Sequence, residues 1–261
     1  MRRVWVSSAA IASALALTVS LVVAQQTLPA ATSPATGGGL NRGPAVPTGP
    51  APRLPNGTID LSGVWQGGGP VGNIADGLAK GETLPIRPEW KTIMDGRMSK
   101  EDPEANCLPT GVPRRDPYPW RILQTNTHTF FLFEGNIHSY RQIFMDGRKH
   151  PEDPDPTWYG HSVGTWEGDT LVIDSVGFND KFWFDFIGTP HTEKLHTVER
   201  YTRTNMGTLV VETIVDDLGA YTKPFTITFT ARLRPGEELM EYICNENNEW
   251  VKHIVGPAKE F

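Results

Sequence analysis

The sequence predicts an all-β protein, an antiparallel up-and-down meander closed into a barrel of about 8–10 strands. Short extended segments follow one another from Trp120 onward, and turn residues such as Glu167-Gly168-Asp169 and Pro235-Gly236 separate them. Apart from the region around Pro88, no segment shows convincing amphipathic helical spacing. A meander of this length favours closure, because closure removes exposed strand edges.

The first 24 residues have the features of a secretory signal peptide. Arg2 and Arg3 precede a mostly apolar stretch, and the small residues of 22–24 are typical of a cleavage position. A twin-arginine signal is a weaker interpretation. An uncleaved anchor is the alternative, since about 20 apolar residues can span a bilayer. We expect cleavage, a periplasmic or extracellular location, and no stable membrane insertion afterwards.

Residues 25–57 are rich in Pro, Gly, Ala and Thr, which predicts a disordered tether. The remainder, 58–261, is long enough for one domain with a sizeable core. Within it, the prolines and turns of 58–120 predict an irregular wrap around the barrel, and 121–250 form the strand meander. The wrap holds a first strand, "DLSGVWQGG", and a short helix near Pro88–Met94.

The meander's strands alternate in polarity. In "FTITFTARLR", Phe225, Ile227 and Phe229 fall on one face and the threonines fall on the other. The last predicted strand is "ELMEYICNEN", residues 238–247. A two-sheet sandwich remains an alternative, because local pattern does not distinguish it from a barrel.

Composition limits the partners. The formal net charge is −6 and no long basic run occurs, which argues against nucleic acid. Eight Trp, eleven Phe and six Tyr could line a pocket for an apolar or aromatic small molecule. No phosphate-binding or dinucleotide motif is present, and we predict no cofactor. Nothing in the sequence indicates the oligomeric state.

The chain has two cysteines, Cys107 and Cys244. In an exported protein a pair is expected to be bonded, with the two Cα atoms about 4.4–6.8 Å apart. The alternative is two unrelated buried thiols.

The hairpin "GHSVGTWEGDTLVIDSVGF" carries the first candidate site. If Glu167-Gly168 forms the turn, His161 lies opposite Asp174, and the pair would face a barrel cavity as an acid–base couple. A Gly168-Asp169 turn would instead pair His161 with Val176. A purely structural histidine is the plainer alternative.

A second cluster follows in "LHTVERYTR", where His196 and Arg200 share one face and Glu199 and Tyr201 share the other. The clustered histidines could bind a metal, but we interpret them as solvated and predict no metal site. The predicted catalytic residues are His161, Asp174, His196 and Glu199. The predicted ligand-binding residues are Arg141, Arg148, Trp166, Trp183, Arg200 and Tyr201, with Arg141 or Arg200 as an anion clamp.

Several motifs, among them "CLPTGVPR", "DGRKHP" and "EYICNEN", together with that hairpin, resemble a widespread family of secreted bacterial proteins. The resemblance covers about Pro52 to Asn247 and implies that the motif residues act together, without implying an activity. The matching positions are Arg141, Asp146, Arg148, His161, Trp166, Glu167, Asp169, His196, Glu199 and Arg200. More loosely, "LSGVW" is similar to the Gly-x-Trp of lipocalin-like barrels, where it closes one end.

The sequence thus favours a secreted β-barrel that binds a small molecule in a polar-decorated internal cavity. An acid–base enzyme, such as a lyase, isomerase or hydrolase, is the first alternative, with His161 as base or acid and Asp174 orienting it. A structural envelope protein is the second. A filled interior would favour the structural role.

Overall fold

The computed structural model describes residues 45–135, 139–246 and 248–259. The predicted signal peptide and the first part of the predicted tether lie outside these ranges. Residues 45–57, which the sequence assigns to the tether, contact the barrel. The Met206 amide donates to the Gly49 carbonyl at 2.9 Å, and Arg53 forms a bidentate ion pair with Asp169 at 2.9 and 2.6 Å.

The described residues form a closed barrel of nine strands, which confirms the predicted fold class. Each strand pairs with the next along the chain, and β9 pairs with β1 to close the wall. The strands are β1 (Gly63–Gly67), β2 (Trp120–Gln124), β3 (His128–Phe133), β4 (Tyr140–Phe144), β5 (His161–Glu167), β6 (Thr170–Val176), β7 (His196–Asn205), β8 (Thr208–Asp216) and β9 (Phe225–Leu233).

One pairing departs from the predicted antiparallel meander, because β4 and β5 are parallel. Parallel neighbours need a connection that returns to the starting end of the first strand. Residues 145–160, here called the crossover loop, make that return. Only Ile143 with Ser162 and Phe144 with Val163 are paired, so this junction is the shortest in the wall.

The prediction of a strand over residues 238–247 is wrong. Where the structure describes this segment, it is irregular and outside the sheet. Closure explains the difference, since β9 already has β8 and β1 as neighbours and offers no free edge.

The barrel interior is filled by large side chains. Trp65, Trp120, Phe131 and Tyr201 are all essentially inaccessible to solvent and belong to one core cluster. Pleating accounts for this, because alternate residues of each strand point inward. The closed barrel is compatible with a ligand-binding barrel, but large side chains occupy its centre.

The wrap packs against one end of the barrel. A second core cluster there combines Ile74 and Val112 of the wrap with Phe182, Phe184 and Phe225. The helix α1 (Pro88–Gly96) lies in the wrap, as predicted, with a proline in its first turn. Short 3₁₀ turns cover Ile74–Gly77, Ser99–Glu101, Glu104–Asn106 and Trp250–Lys252. Within the described ranges, no helix has the length and apolar character needed to cross a membrane.

A disulfide joins Cys107 of the wrap to Cys244, with the Cα atoms 5.6 Å apart. This confirms the predicted pairing and its expected Cα separation. The bond ties the wrap to the irregular segment that follows β9.

Candidate functional site

The hairpin of β5 and β6 has the register that pairs His161 with Val176 and Glu167 with Thr170. The turn is therefore the alternative Gly168-Asp169, and the Glu167-Gly168 turn, with His161 opposite Asp174, is wrong. Gly168 has a φ of +60°, while Asp169 does not have a positive φ. A positive φ at only the first central residue is the pattern of a two-residue type II′ turn, which places glycine at that position.

Burial alternates so that Ser162 and Ser175 point into the barrel, while His161 and Asp174 lie on its outer face. The prediction that His161 and Asp174 line an internal cavity is therefore wrong. The two side chains nevertheless belong to one hydrogen-bonded group on the outside of the wall.

His150 of the crossover loop connects them. Its Nδ1 lies 2.8 Å from His161 Nδ1, and its Nε2 lies 3.0 Å from Asp174 Oδ1. His196 of β7 places its Nε2 3.1 Å from the same Oδ1. We call these four residues the histidine chain. Three of them were predicted as catalytic, and the structure brings these three together through His150.

The ring of His161 is held between β4 and the crossover loop. It stacks on Phe144, with ring centroids 5.1 Å apart, and meets His150 edge-on at 5.0 Å. The Arg148 guanidinium covers Phe144 at 3.8 Å from the ring centroid and pairs with Asp146. Burial, followed by the nearby His150 and Arg148, lowers the pKa of His161 below its usual value. The imidazole is therefore predominantly neutral at pH 7.

Predicted residues on the inward face form a second group, the buried polar network. Arg141 Nη2 lies 2.5 Å from Glu199 Oε2, and both side chains are 1% exposed. Tyr201 donates to Glu199 at 2.7 Å and accepts from Arg115 at 2.9 Å. Arg141 also donates to the hydroxyls of two inward serines, to Ser162 at 3.1 Å and to Ser175 at 2.8 Å.

The charges in this network stabilise each other. Burial alone would raise the pKa of Glu199, but the Arg141 guanidinium outweighs it and holds that pKa below its usual value. Burial raises the pKa of Tyr201, so its hydroxyl stays protonated and can donate. Arg141 Nη1 is buried and has no hydrogen-bond partner among the described residues. A buried donor without a partner is costly, so the network is incomplete at this nitrogen.

Between β4 and the crossover loop, the wall opens into a cleft of about 450 Å³, here called the wall cleft. It exists because β4 and β5 are paired over so short a length. Arg141 and Ser162 of the buried polar network line it, as does His161 of the histidine chain. The remaining lining is largely aromatic and proline side chains, including Tyr140, Phe144, Pro151, Pro154, Trp158 and Tyr159. The cleft thus touches both groups of predicted residues.

Three predicted ligand-binding residues lie elsewhere. Trp166 lines a different cleft, of about 500 Å³, at one end of the barrel. Arg200 pairs with Glu167 at 2.8 Å on the outer face. Trp183 packs beneath the Arg97 guanidinium, 4.7 Å from its ring. The structure does not bring these three to the wall cleft.

Three residues in or beside these groups were not predicted as site residues. His150 lies in the crossover loop, whose path no local pattern predicts, although its "RKHP" motif held a histidine near the candidate strands. Arg115 enters the network from the wrap, and "PRRDP" offered only an unusual pair of arginines. Tyr159 bonds Ser139 at 2.6 Å and stacks on Phe133, and burial raises its pKa to about 12.

The histidine chain is a hydrogen-bonded arrangement. Within the described part of the chain, no group of three or more His, Cys, Asp or Glu side chains is placed to hold a metal ion. Comparison with family models, curated proteins and solved structures finds no match to this protein. The site therefore has to be interpreted from its own geometry.

Proposed function

We propose that this protein binds a small molecule with an apolar or aromatic body in the wall cleft. The observation that carries this proposal is a cleft with aromatic and proline walls, in which the imidazole of His161 offers a polar contact. Such walls suit an aromatic ring, and the imidazole suits one polar group on the ligand. This replaces the barrel interior as the proposed location of the ligand.

The size of the cleft supports this proposal. Pockets for small molecules usually have volumes of roughly 300–1,000 Å³, with mostly apolar walls and a few polar groups that fix orientation. The wall cleft, at about 450 Å³, falls within that range. Its polar side chains include Gln142, Asp155, Thr157, His161 and Ser162.

Blocking the cleft tests the proposal. Thr157 is exposed and lines the cleft, so Thr157→Trp should fill it without disturbing the core. We expect the wild-type protein to bind the aromatic anion 8-anilinonaphthalene-1-sulfonate at one site, and the variant to lose that binding. A fluorescence titration measures both.

Thr228→Trp is the matched control, because Thr228 is an exposed threonine on the outer face of β9. It should bind the probe as the wild type does. Equal binding by the Thr157→Trp variant would overturn the proposed location. If the Thr157→Trp variant does lose the probe, native mass spectrometry of the purified protein can identify any ligand that the wild type retains and this variant lacks.

Acid–base catalysis at the same cleft is the second candidate function. The observation in its favour is that His161, a neutral imidazole at pH 7, is part of the lining. The filled interior favours the third candidate, a structural envelope protein. That role gives no reason for a cleft that has aromatic walls and a hydrogen-bonded histidine.

Export to the periplasm or the exterior also belongs to the proposal. It is supported by the signal-like sequence of residues 1–24 and by the disulfide, since such bonds persist in oxidising compartments. Cell fractionation and N-terminal sequencing of the mature protein would test it.

A further inference from the structure

We propose that His161 is a general base for the molecule bound in the wall cleft, and that His150 and Asp174 act as positioning residues that fix its tautomer. This inference rests on the proposed binding function, because it gives the bound molecule a chemistry. It assigns a role to His150, which the sequence did not single out as a site residue.

The hydrogen bonds of Asp174 set the arrangement. A carboxylate only accepts hydrogen bonds, so each nitrogen that faces it must carry a hydrogen. Asp174 Oδ1 is approached by Nε2 of His150 and by Nε2 of His196. In the neutral form of His150, the hydrogen is therefore on Nε2 and Nδ1 holds a lone pair.

That lone pair determines the state of His161. The two Nδ1 atoms are 2.8 Å apart, so one must donate to the other. Because Nδ1 of neutral His150 accepts, His161 carries its hydrogen on Nδ1. Its Nε2 then has the free lone pair of a base, and among the described residues it has no hydrogen-bond partner.

The same geometry stabilises the protonated base. When His161 Nε2 takes a proton, the ring becomes an imidazolium whose Nδ1–H is already donated to His150. His150 in turn donates to the Asp174 carboxylate, which carries the compensating negative charge. An orienting carboxylate of this kind is a general feature of catalytic histidines.

A neutral imidazole with a free Nε2 lone pair indicates the class of reaction. A proton on a carbon beside a carbonyl group would move to His161 Nε2, and the electron pair of that C–H bond would pass to the carbonyl oxygen as an enolate. The step needs no further reactant and suits an isomerase or a lyase.

The other charged groups near His161 do not change this assignment. Arg148 is cationic and disfavours the protonated form of His161, and His150 would do so only if it were itself protonated. The pKa of Asp146 is held at about 2, mainly by its hydrogen bond to Arg148, so this carboxylate is already engaged. Asp174 is therefore the carboxylate that acts on His161, through His150.

The tautomer of His161 is directly measurable on the free protein. Long-range ¹H–¹⁵N NMR spectra at pH 8 should show its hydrogen on Nδ1. In the His150→Phe variant the acceptor is gone, and we expect His161 to change mainly to the Nε2–H tautomer that a free imidazole prefers. Asp174→Asn is the second variant, in case the first perturbs the loop, and should give a mixture of tautomers.

Chemical reactivity gives an independent readout. Diethyl pyrocarbonate acylates an imidazole nitrogen that carries a lone pair, and mass spectrometry locates the product. We expect His161 to react more slowly in His150→Phe, because its exposed Nε2 would then carry the hydrogen instead of a lone pair. His253→Phe, at an exposed position outside the histidine chain, is the control and should leave the rate unchanged.

Bound probe should also protect His161 from the reagent, because both would occupy the wall cleft. The assignment is overturned if His161 in the wild type carries its hydrogen on Nε2. It is also overturned if neither the tautomer of His161 nor its acylation rate changes in His150→Phe. If the bound probe does not protect His161, then His161 does not lie in the binding site. Failure of the binding proposal is recognised separately, since it appears as probe binding that survives Thr157→Trp.

Discussion

At the scale of single residues, His191 is a histidine that the fold keeps neutral. It is 2% exposed and lies against Phe182 and Phe184, with ring centroids 3.8 and 5.0 Å away. Burial lowers its pKa from 6.5 to about 4. Between these two pH values His191 binds a proton in the unfolded chain but not in the folded protein. The folded state therefore loses stability as the pH falls.

We expect His191→Phe to weaken the pH dependence of the free energy of unfolding between about pH 6.5 and pH 4. The contribution removed is at most about 3 kcal/mol, because each pKa unit corresponds to ~1.4 kcal/mol. Urea denaturation at a series of pH values measures the slope, which is insensitive to any constant packing change. His253→Phe should keep the wild-type slope, and an unchanged slope in His191→Phe would refute the assignment.

At the scale of secondary-structure elements, the parallel junction of β4 and β5 is tightly packed around a glycine. Gly164 faces inward there, and a Cβ added to it would lie 2.4 Å from Met145 Sδ and 2.9 Å from Ile143 Cγ2. Glycine is thus required by close approach of the neighbouring strand. The wall cleft lies beside this junction, where β4 and β5 pair at two positions.

Gly164→Ala should therefore destabilise the protein by about 1–3 kcal/mol, the usual range for an inserted methyl group in a packed site. Chemical denaturation measures the total, and hydrogen exchange of the β4 and β5 amides should locate the loss at the junction. The control is Gly96→Ala at the end of α1, where an added Cβ meets nothing within 4 Å. Equal stability of the two variants would show that the junction tolerates the methyl group.

The strand patterns also show what the sequence can predict. Alternation alone placed Phe225 and Ile227 on the face opposite the threonines, and it placed Glu199 on the face opposite Arg200, as the structure has them. The register of the hairpin needed more, because two adjacent turns were possible and each aligned different residues. The position of Gly168 in the turn decides between them.

Longer-range features escaped prediction for a different reason. His150 reaches Asp174 only because the crossover loop returns along the barrel, and loop paths depend on the whole fold. The segment 238–247 is apolar enough to predict a strand, but pairing of β9 with β1 excludes it from the wall. Signal cleavage, export and the resemblance to secreted bacterial proteins stay predictions.

At the scale of the whole molecule, the disulfide joins parts of the chain that are 137 residues apart. Closing so long a loop in the unfolded chain should stabilise the folded protein by about 4–5 kcal/mol in the chain-entropy treatment. We expect Cys107→Ser with Cys244→Ser to lower the free energy of unfolding by an amount of that order, as measured by urea denaturation.

Thiol labelling of the denatured, unreduced protein checks the bond itself. We expect no free thiol before reduction and two after it. Two reactive thiols before reduction would contradict the disulfide, and a double variant as stable as the wild type would show that strain offsets the entropy gain.

Closure of the wall has a consequence for how fast the chain can fold. The hairpins from β5 to β9 join neighbours in sequence, so they can form early and locally. The pairing that closes the barrel instead joins β1 (Gly63–Gly67) to β9 (Phe225–Leu233). The intervening chain must be ordered before this contact can offset its loop-closure entropy. Such distant pairings give a high contact order, which slows the search for the native state. The barrel should therefore pass through open sheets whose two unpaired edges are the first and last strands, and this is the interval in which chains can join edge to edge and aggregate.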